Sequence, residues 1–221
     1  APTTEGSIHM PTYAETRDWL RGFGSATLGE SGARIMAPRI APAWPGARVA
    51  APAFPVRCTA GDNLAIHVAA AEAPAGSVLV VDVGELSDYG YWGEVLTTAA
   101  QARSIGGLVI DGGVRDIVAI ETLGFPVFAS TIALRGATKN QAGAVNIPIR
   151  CGGAAIVRGD WVVGDADGVV IVPGEHLDTV MEHAAARVKS ETAMLEALRG
   201  GKTTIKLLKL DTTAIRFGEV D

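Results

Sequence analysis

Gly107-Leu-Val-Ile-Asp-Gly-Gly-Val-Arg-Asp116 constrains this chain more than any other stretch. Its apolar start reads as a buried strand over 107–110. The glycines after Asp111 read as a sharp turn past the strand end, closing on the adjacent pair Arg115 and Asp116. Ligands of α/β proteins gather just beyond such strand ends. There an arginine offers a fork for a carboxylate, and an aspartate offers oxygen to a hard cation. The competing reading is a surface ion pair that caps a helix beginning near Ile117.

The surrounding pattern is α/β. Residues 13–23 carry helical spacing through Trp19, Leu20 and Phe23, and 24–30 read as a turn and a helix start. Prolines punctuate 35–55, which should therefore be irregular, with short edge strands at most. Residues 61–72 read as a helix with Asp62 as N-cap. Residues 77–83 read as a buried strand, 84–92 as a loop holding Glu85, Asp88, Tyr89 and Tyr91, and 93–103 as a helix. Helix 117–123 and strand 126–129 follow. Short strands are then expected at 144–149, 154–157, 161–164 and 168–172, joined by Gly-Asp turns. One long helix spans 174–199, and Gly200-Gly201 ends it. The order predicts a single mixed domain over 11–200 and a C-terminal arm over 201–221. Ile205, Leu207, Leu208 and Leu210 of that arm need a covering surface, which a neighbouring subunit would supply.

Composition narrows the function. The 221 residues are 48% hydrophobic, ample for a real core. Net charge is -5, and no basic patch with interleaved aromatics appears, so nucleic acid is a poor partner. Cys58 and Cys151 stand apart, in no zinc-type spacing, which suggests a reduced compartment such as the cytoplasm. No apolar stretch reaches membrane-spanning length, and the N-terminus lacks a signal-peptide pattern. Residues 1–7 read as linker, with Met10 as the expected natural start.

Several chemistries fall away. The chain has no G-x-S-x-G elbow, no H-E-x-x-H and no dinucleotide-type glycine motif after a strand. His176 and His183 share a face of the last helix without an acidic partner, which reads as a solvated face. Asp165-Ala-Asp167-Gly168 resembles half a calcium loop but reads better as a tight turn. His67 sits on a largely apolar helix and reads as a core histidine. What remains is a polar cluster at two strand ends. A helical crossover between strands 77–83 and 107–110 makes them parallel, so their carboxyl ends share an edge. There the first-turn amides of Gly93, Glu94, Val95 and Leu96 are free donors. With the Arg115 fork and a cation on Asp116, they outline a pyruvate-sized site.

At this point the residues resemble a known family. Gly93-Glu-Val-Leu96, its spacing to Arg115-Asp116, and the 107–116 stretch are similar to the RraA-like family, which includes divalent-metal 4-hydroxy-4-methyl-2-oxoglutarate / 4-carboxy-4-hydroxy-2-oxoadipate aldolases. The similarity continues through Asp62-Asn63, His67, 124–128, 143–148, Cys151-Gly-Gly153 and 159–173, covering roughly 25–200. It implies an α/β sandwich related to swivelling β/β/α domains, assembled as trimers or hexamers with sites between subunits. It implies Mg2+ or Mn2+ held by Asp116 mostly through waters, Arg115 on the keto acid, and the amides of 93–96 on its carboxylate. Glu94 stands where active members carry an acidic residue that orients water, usually an aspartate. Glu191 resembles a C-terminal glutamate that reaches a neighbour's site. The loop Ser87-Asp-Tyr-Gly-Tyr-Trp92 is more aromatic than the family pattern.

The resemblance implies cleavage of a 4-hydroxy-2-oxo acid to pyruvate and a second oxo compound, with oxaloacetate decarboxylation alongside. A lysine Schiff base is not required, although Lys139 lies in the β-rich middle. Two alternatives stay open: a non-enzymatic regulator that binds RNase E, and a related metal-dependent lyase for a different oxo acid. A methyltransferase role has no support, because no nucleotide-binding glycine motif follows the first strand.

Overall fold

The computed structural model describes residues 12–216 and residue 218. The expected linker at 1–7 and the start at Met10 lie outside the described residues. Along the chain run α1 (Tyr13–Gly29), β1 (Arg34–Ile35), β2 (Ala41–Pro42), β3 (Val49–Arg57), α2 (Leu64–Glu72), β4 (Val78–Asp82), β5 (Tyr89–Trp92) and α3 (Glu94–Ala102). Then come β6 (Gly107–Val114), α4 (Ile117–Leu123), β7 (Val127–Ile132), β8 (Arg135–Gly136), β9 (Ala144–Val145), β10 (Ile149–Cys151) and β11 (Ala154–Ile156). The chain continues through β12 (Trp161–Asp165), β13 (Gly168–Val172), a 3-10 turn at Gly174–His176, α5 (Leu177–Arg199) and α6 (Thr204–Leu208).

Strand alternation sets the layers. In β4, Leu79 and Val81 face a core shared with Ile66 of α2, Leu96 of α3 and Ile120 of α4. Val78 and Val80 face the opposite way, onto Val162 of β12 and Ile171 of β13. In β13, Val170 and Val172 turn outward again, against Leu20 and Leu28 of α1 and Val180 and Met181 of α5. One curled sheet thus folds over itself, with helices on both outer faces. Its order is β1-β13-β12-β3-β4-β6-β5-β8, with β7 on β6, β2 on β7 and β9 on β3.

Several expectations need correction, among them the loop at 84–92, whose last four residues form β5 beside β6. Residues 35–55 are not irregular throughout, because β3 is a nine-residue strand containing Pro52 and Pro55. The strand changes partners along its length. Val49 to Pro52 pair antiparallel with β12, and Ala53 to Arg57 pair parallel with β4. Ala53 N, not Pro52, donates to Asp160 O at 2.8 Å, and Pro55 O accepts from Asn146 N at 2.7 Å. Prolines are tolerated where neighbouring residues carry the ladder. Nor do Gly112 and Gly113 make a turn: β6 continues to Val114, with a register shift against β7 between Ile110 and Gly113. The glycines serve close packing. A Cβ on Gly112 would lie 2.9 Å from Val83 Cγ2, and one on Gly113 would collide with Tyr89 O and lie 2.7 Å from Ala133 Cβ.

The helix expected at 61–72 begins instead at Leu64, with Asn63 in the cap position. Asp62 still serves it, since its Oδ1 accepts from Leu64 N at 2.8 Å. The long C-terminal helix forms as expected, apart from its 3-10 first turn. Beyond it, Ile205, Leu208 and Leu210 are each about half exposed.

Candidate active site at the carboxyl edge

Parallel pairing of β4, β5 and β7 with or beside β6 gathers their carboxyl ends on one edge. Gly93 follows β5 there, and Arg115-Asp116 follow β6. Arg115 N donates to Trp92 O at 2.9 Å, which ties the two loops together. Asp116 holds a left-handed backbone, φ 59 and ψ 37, uncommon outside glycine. It sits at the N-cap of α4 but makes no side-chain cap to that helix. Its Oδ2 instead accepts the Glu94 amide at 3.1 Å and lies 3.8 Å from Arg115 Nε. The pair therefore clamps the start of α3 and does not cap its own helix. Glycine at 93 leaves room for the pair, because a Cβ would run into Asp116 Oδ2 and lie 3.2 Å from Arg115 Cγ.

The Glu94 amide is consequently spent within the protein, which corrects the expectation of four free donors. Val95 and Leu96 remain in the first turn, where amides have no helical carbonyl to meet. The Glu94 side chain is exposed and stands outside the cavity lining.

A cavity of about 250 Å³ opens over this loop pair. Gly93, Val95, Leu96, Arg115 and Asp116 form one side, and Asn63, His67 and Lys139 the other. The second wall was not read from the residues. His67 is half-buried and lines the cavity, so the core-histidine reading is corrected. The signal was available: Asn63 and His67 are four apart on α2 and so share a face. Asn63 is 5% exposed, and its Nδ2 donates to Tyr91 O at 2.8 Å. Asn63 Oδ1 and His67 Nε2 are buried without a hydrogen-bond partner among the described residues. Burial, and then the Lys139 charge, holds His67 below the ordinary histidine pKa, which favours its neutral form.

Asp62 fixes that wall. It is 2% exposed, and its Oδ2 accepts from Thr138 Oγ1 at 2.7 Å, Asn140 N at 2.7 Å and Gln141 N at 3.1 Å. The segment bearing Lys139 is thereby pinned to the start of α2. Burial alone would raise the Asp62 pKa, but the four donors together pull it below the ordinary value.

Glu191 lies elsewhere in the chain. It pairs with Arg187 Nε at 2.8 Å, and Arg187 also meets Glu30. Its helix packs on α1, on the sheet face away from α2, α3 and α4. The half calcium loop is a turn: Asp165 accepts from Asp167 N and from Ser25 N and Oγ. Both cysteines are free and buried, and burial pushes the Cys58 thiol up to about 12. The described residues contain no group of three or more His, Cys, Asp or Glu suited to a metal ion. A lone, partly exposed carboxylate such as Asp116 suits a hard cation that keeps waters and takes further ligands from substrate. It does not suit a closed structural zinc site.

Comparison with known proteins shows the family and the fold. The RraA-like family model, described as Aldolase/RraA, matches residues 25–171. A protein of Halalkalibacterium halodurans named "Putative 4-hydroxy-4-methyl-2-oxoglutarate aldolase" is 35% identical over 159 residues, covering 72% of this chain and 76% of that one. The crystal structure of an uncharacterized protein from Pseudomonas syringae pv. tomato superposes with a TM-score of 0.79 at 29% identity, covering 91% of this chain and 96% of that one. Streptomyces coelicolor RraAS2, titled an unusual member of the RNase ES inhibitor RraA protein family, shares the fold, with a TM-score of 0.70 at 24% identity and coverage of 84% and 98%.

Proposed function

The chain belongs to the Aldolase/RraA family, and on that premise we propose that it is a divalent-metal-dependent lyase cleaving 4-hydroxy-2-oxo acids to pyruvate and a second oxo compound. One observation carries the reading. Asp116 is locked by its own backbone and the Glu94 amide, beside Arg115, at the mouth of a small cavity. A regulator that only bound a protein would not need that clamp.

Asp116 would hold Mg2+ or Mn2+, which supplies Lewis-acid polarisation of the substrate's keto oxygen. The Arg115 fork and the amides of Val95 and Leu96 bind the keto acid end. The family resemblance gives Glu94 the water that takes the C4 hydroxyl proton, a role its exposed side chain would fill from outside the cavity lining. As that proton leaves, the C3–C4 bond breaks and its electrons move toward the C2 oxygen. Arg115 stabilises the charge developing there. Protonation at C3 then gives pyruvate. Oxaloacetate loses CO2 through the same charge distribution, so decarboxylation accompanies the aldol cleavage. Lys139, across the cavity, faces the distal end of the substrate, where a second carboxylate would be drawn to it.

The site is completed by a second copy of the chain, in a trimer or hexamer. On the segments next to the lining residues Leu96, Asp116 and Gly136, Val95 is 79%, Val118 78% and Leu134 84% exposed, apolar surface that an interface would cover. Glu191 can reach such a site only from a neighbour.

The test is pyruvate release over a panel of 4-hydroxy-2-oxo acids and oxaloacetate. Exhaustive chelation should abolish turnover, and Mg2+ or Mn2+ should restore it. Turnover that survives chelation would sink the metal-dependent reading, and no turnover on any panel member would favour a binding role. For the shared site, Arg115→Ala and Glu191→Ala should each be nearly inactive, and co-refolded mixtures should recover part of the activity.

A further inference from the structure

The parallel strands have a second edge. At the amino ends of β4, β6 and β7 lies a cleft of about 510 Å³. The turns at Gly76, Gly106 and Gly124 contribute its lining, and the start of β3 lines another part. Tyr13, Arg17 and Arg21 stand four residues apart and so share one face of α1, while Arg48 enters from the segment before β3. Among the described residues, none that lines it is acidic.

Three guanidinium groups thus line one concave surface in a chain of net charge -5. Elsewhere Arg34, Arg39, Arg57, Arg115 and Arg187 each have a carboxylate within 4.0 Å. In the cleft, only Arg17 does, through its exposed neighbour Asp18. Arg21 and Arg48 have no such partner among the described residues, and Arg48 Nη2 donates to the backbone carbonyl of Arg21 at 3.4 Å, which ties the Arg48 side chain to that turn of α1. Like charges held together are destabilising unless an anion joins them. The other side-chain donors are already spent: Tyr13 Oη on Gly76 O at 3.1 Å, and Trp44 Nε1 on Phe125 O at 2.9 Å. Arg21 and Arg48 are left to meet a ligand, whereas Arg17 is shared with Asp18, whose carboxylate also feels the Arg21 charge.

We propose that this cleft, formed by Arg17, Arg21 and Arg48 at the amino edge of the sheet, binds a small multivalent oxyanion, a pyrophosphate or a polycarboxylate. The volume suits a small molecule. Several anionic groups would match several guanidinium forks, each able to grip phosphate or carboxylate in two-pronged fashion. The site is separate from the oxo-acid cavity. Eight residues of β6 span the sheet between the two edges, about 23 Å at ~3.3 Å per residue.

The test is isothermal titration calorimetry of the full chain in metal-free, low-salt buffer, with pyrophosphate and citrate in separate arms. Arg115→Ala is the background, so that the other arginine site is silent. One binding event per chain is expected there. Arg21→Gln with Arg48→Gln should weaken it roughly tenfold or more, since two charge-assisted donors are lost. Arg48→Glu alone should abolish it, which keeps the test decisive if the double variant folds poorly. Tighter pyrophosphate assigns a phosphate-borne ligand, and tighter citrate a carboxylate-borne one. No event with either probe in the Arg115→Ala chain would overturn the proposal. So would an affinity unmoved by Arg48→Glu. Neither outcome touches the lyase reading, which rests on the opposite edge.

Discussion

Two aspartates flank the candidate cavity, and their surroundings differ sharply. Asp62 is 2% exposed and accepts four hydrogen bonds, from Leu64 N, Thr138 Oγ1, Asn140 N and Gln141 N. The Asp116 side chain is 43% exposed and accepts one, from Glu94 N, with Arg115 Nε at 3.8 Å. A saturated carboxylate has no lone pairs left for chemistry, so it builds structure. An unsaturated one that is still fixed in place can take a ligand. The difference marks which acid holds the wall and which works.

If that division is right, damage at the two positions should separate cleanly. The largest effect is expected at the working pair. Arg115→Lys keeps a charge but loses the planar fork, and pyruvate formation should fall on the order of a hundredfold, about 3 kcal/mol. Asp116→Asn should act as strongly at limiting metal. Thermal melts of both should match wild type, and a large drop in Tm would erase the distinction from Asp62.

Next in size is Asp62→Asn, where an amide NH2 would face Asn140 N and Gln141 N. It should cost about 2 kcal/mol of stability, roughly 5 °C in Tm. The same variant sharpens the comparison through pH. The folded-state pKa of Asp62 lies below the ordinary 3.8. Its contribution is therefore fully present above that value and is lost as pH falls through the lower folded value. Denaturant melts from pH 5 downward should show a shallower acid loss for Asp62→Asn than for wild type. Parallel curves would remove Asp62 from the acid response.

The smallest effect is expected at Gly93→Ala, where the new methyl displaces the Asp116 carboxylate. Turnover should fall roughly tenfold, with the loss concentrated in the metal requirement. Unchanged metal dependence would mean that Asp116 need not be held by the Glu94 amide.

Much of this was legible in the residues, for identifiable reasons. Helices α2 to α5 and strands β4 and β7 follow periodicity, which depends on local burial alone. The proximity of Gly93 to Arg115-Asp116 follows from parallel pairing. Strand β3 was hidden because its prolines look like breakers until two different partners share the ladder. The extension of β6 was hidden because Gly112 and Gly113 look like a turn until the close approach of Val83 and Tyr89 is seen. The face shared by Asn63 and His67 could be read from their spacing, but Lys139 opposite escaped because Asp62 joins segments far apart in the chain. No local pattern announces a clamp of that kind.

The change of partners along β3 also bears on how the chain reaches its fold. Residues 49–52 must wait for β12, which is made only after all the α/β crossovers and the β9 to β11 segment. Closing so long a loop is entropically costly and slows folding. During synthesis this half of the strand is an unpaired edge, the kind that recruits other chains. Pro52 lies within that edge and has no N–H to offer a stray strand. The residue that made β3 hard to recognise thus leaves that edge one donor short until Trp161 to Gly164 pair with it.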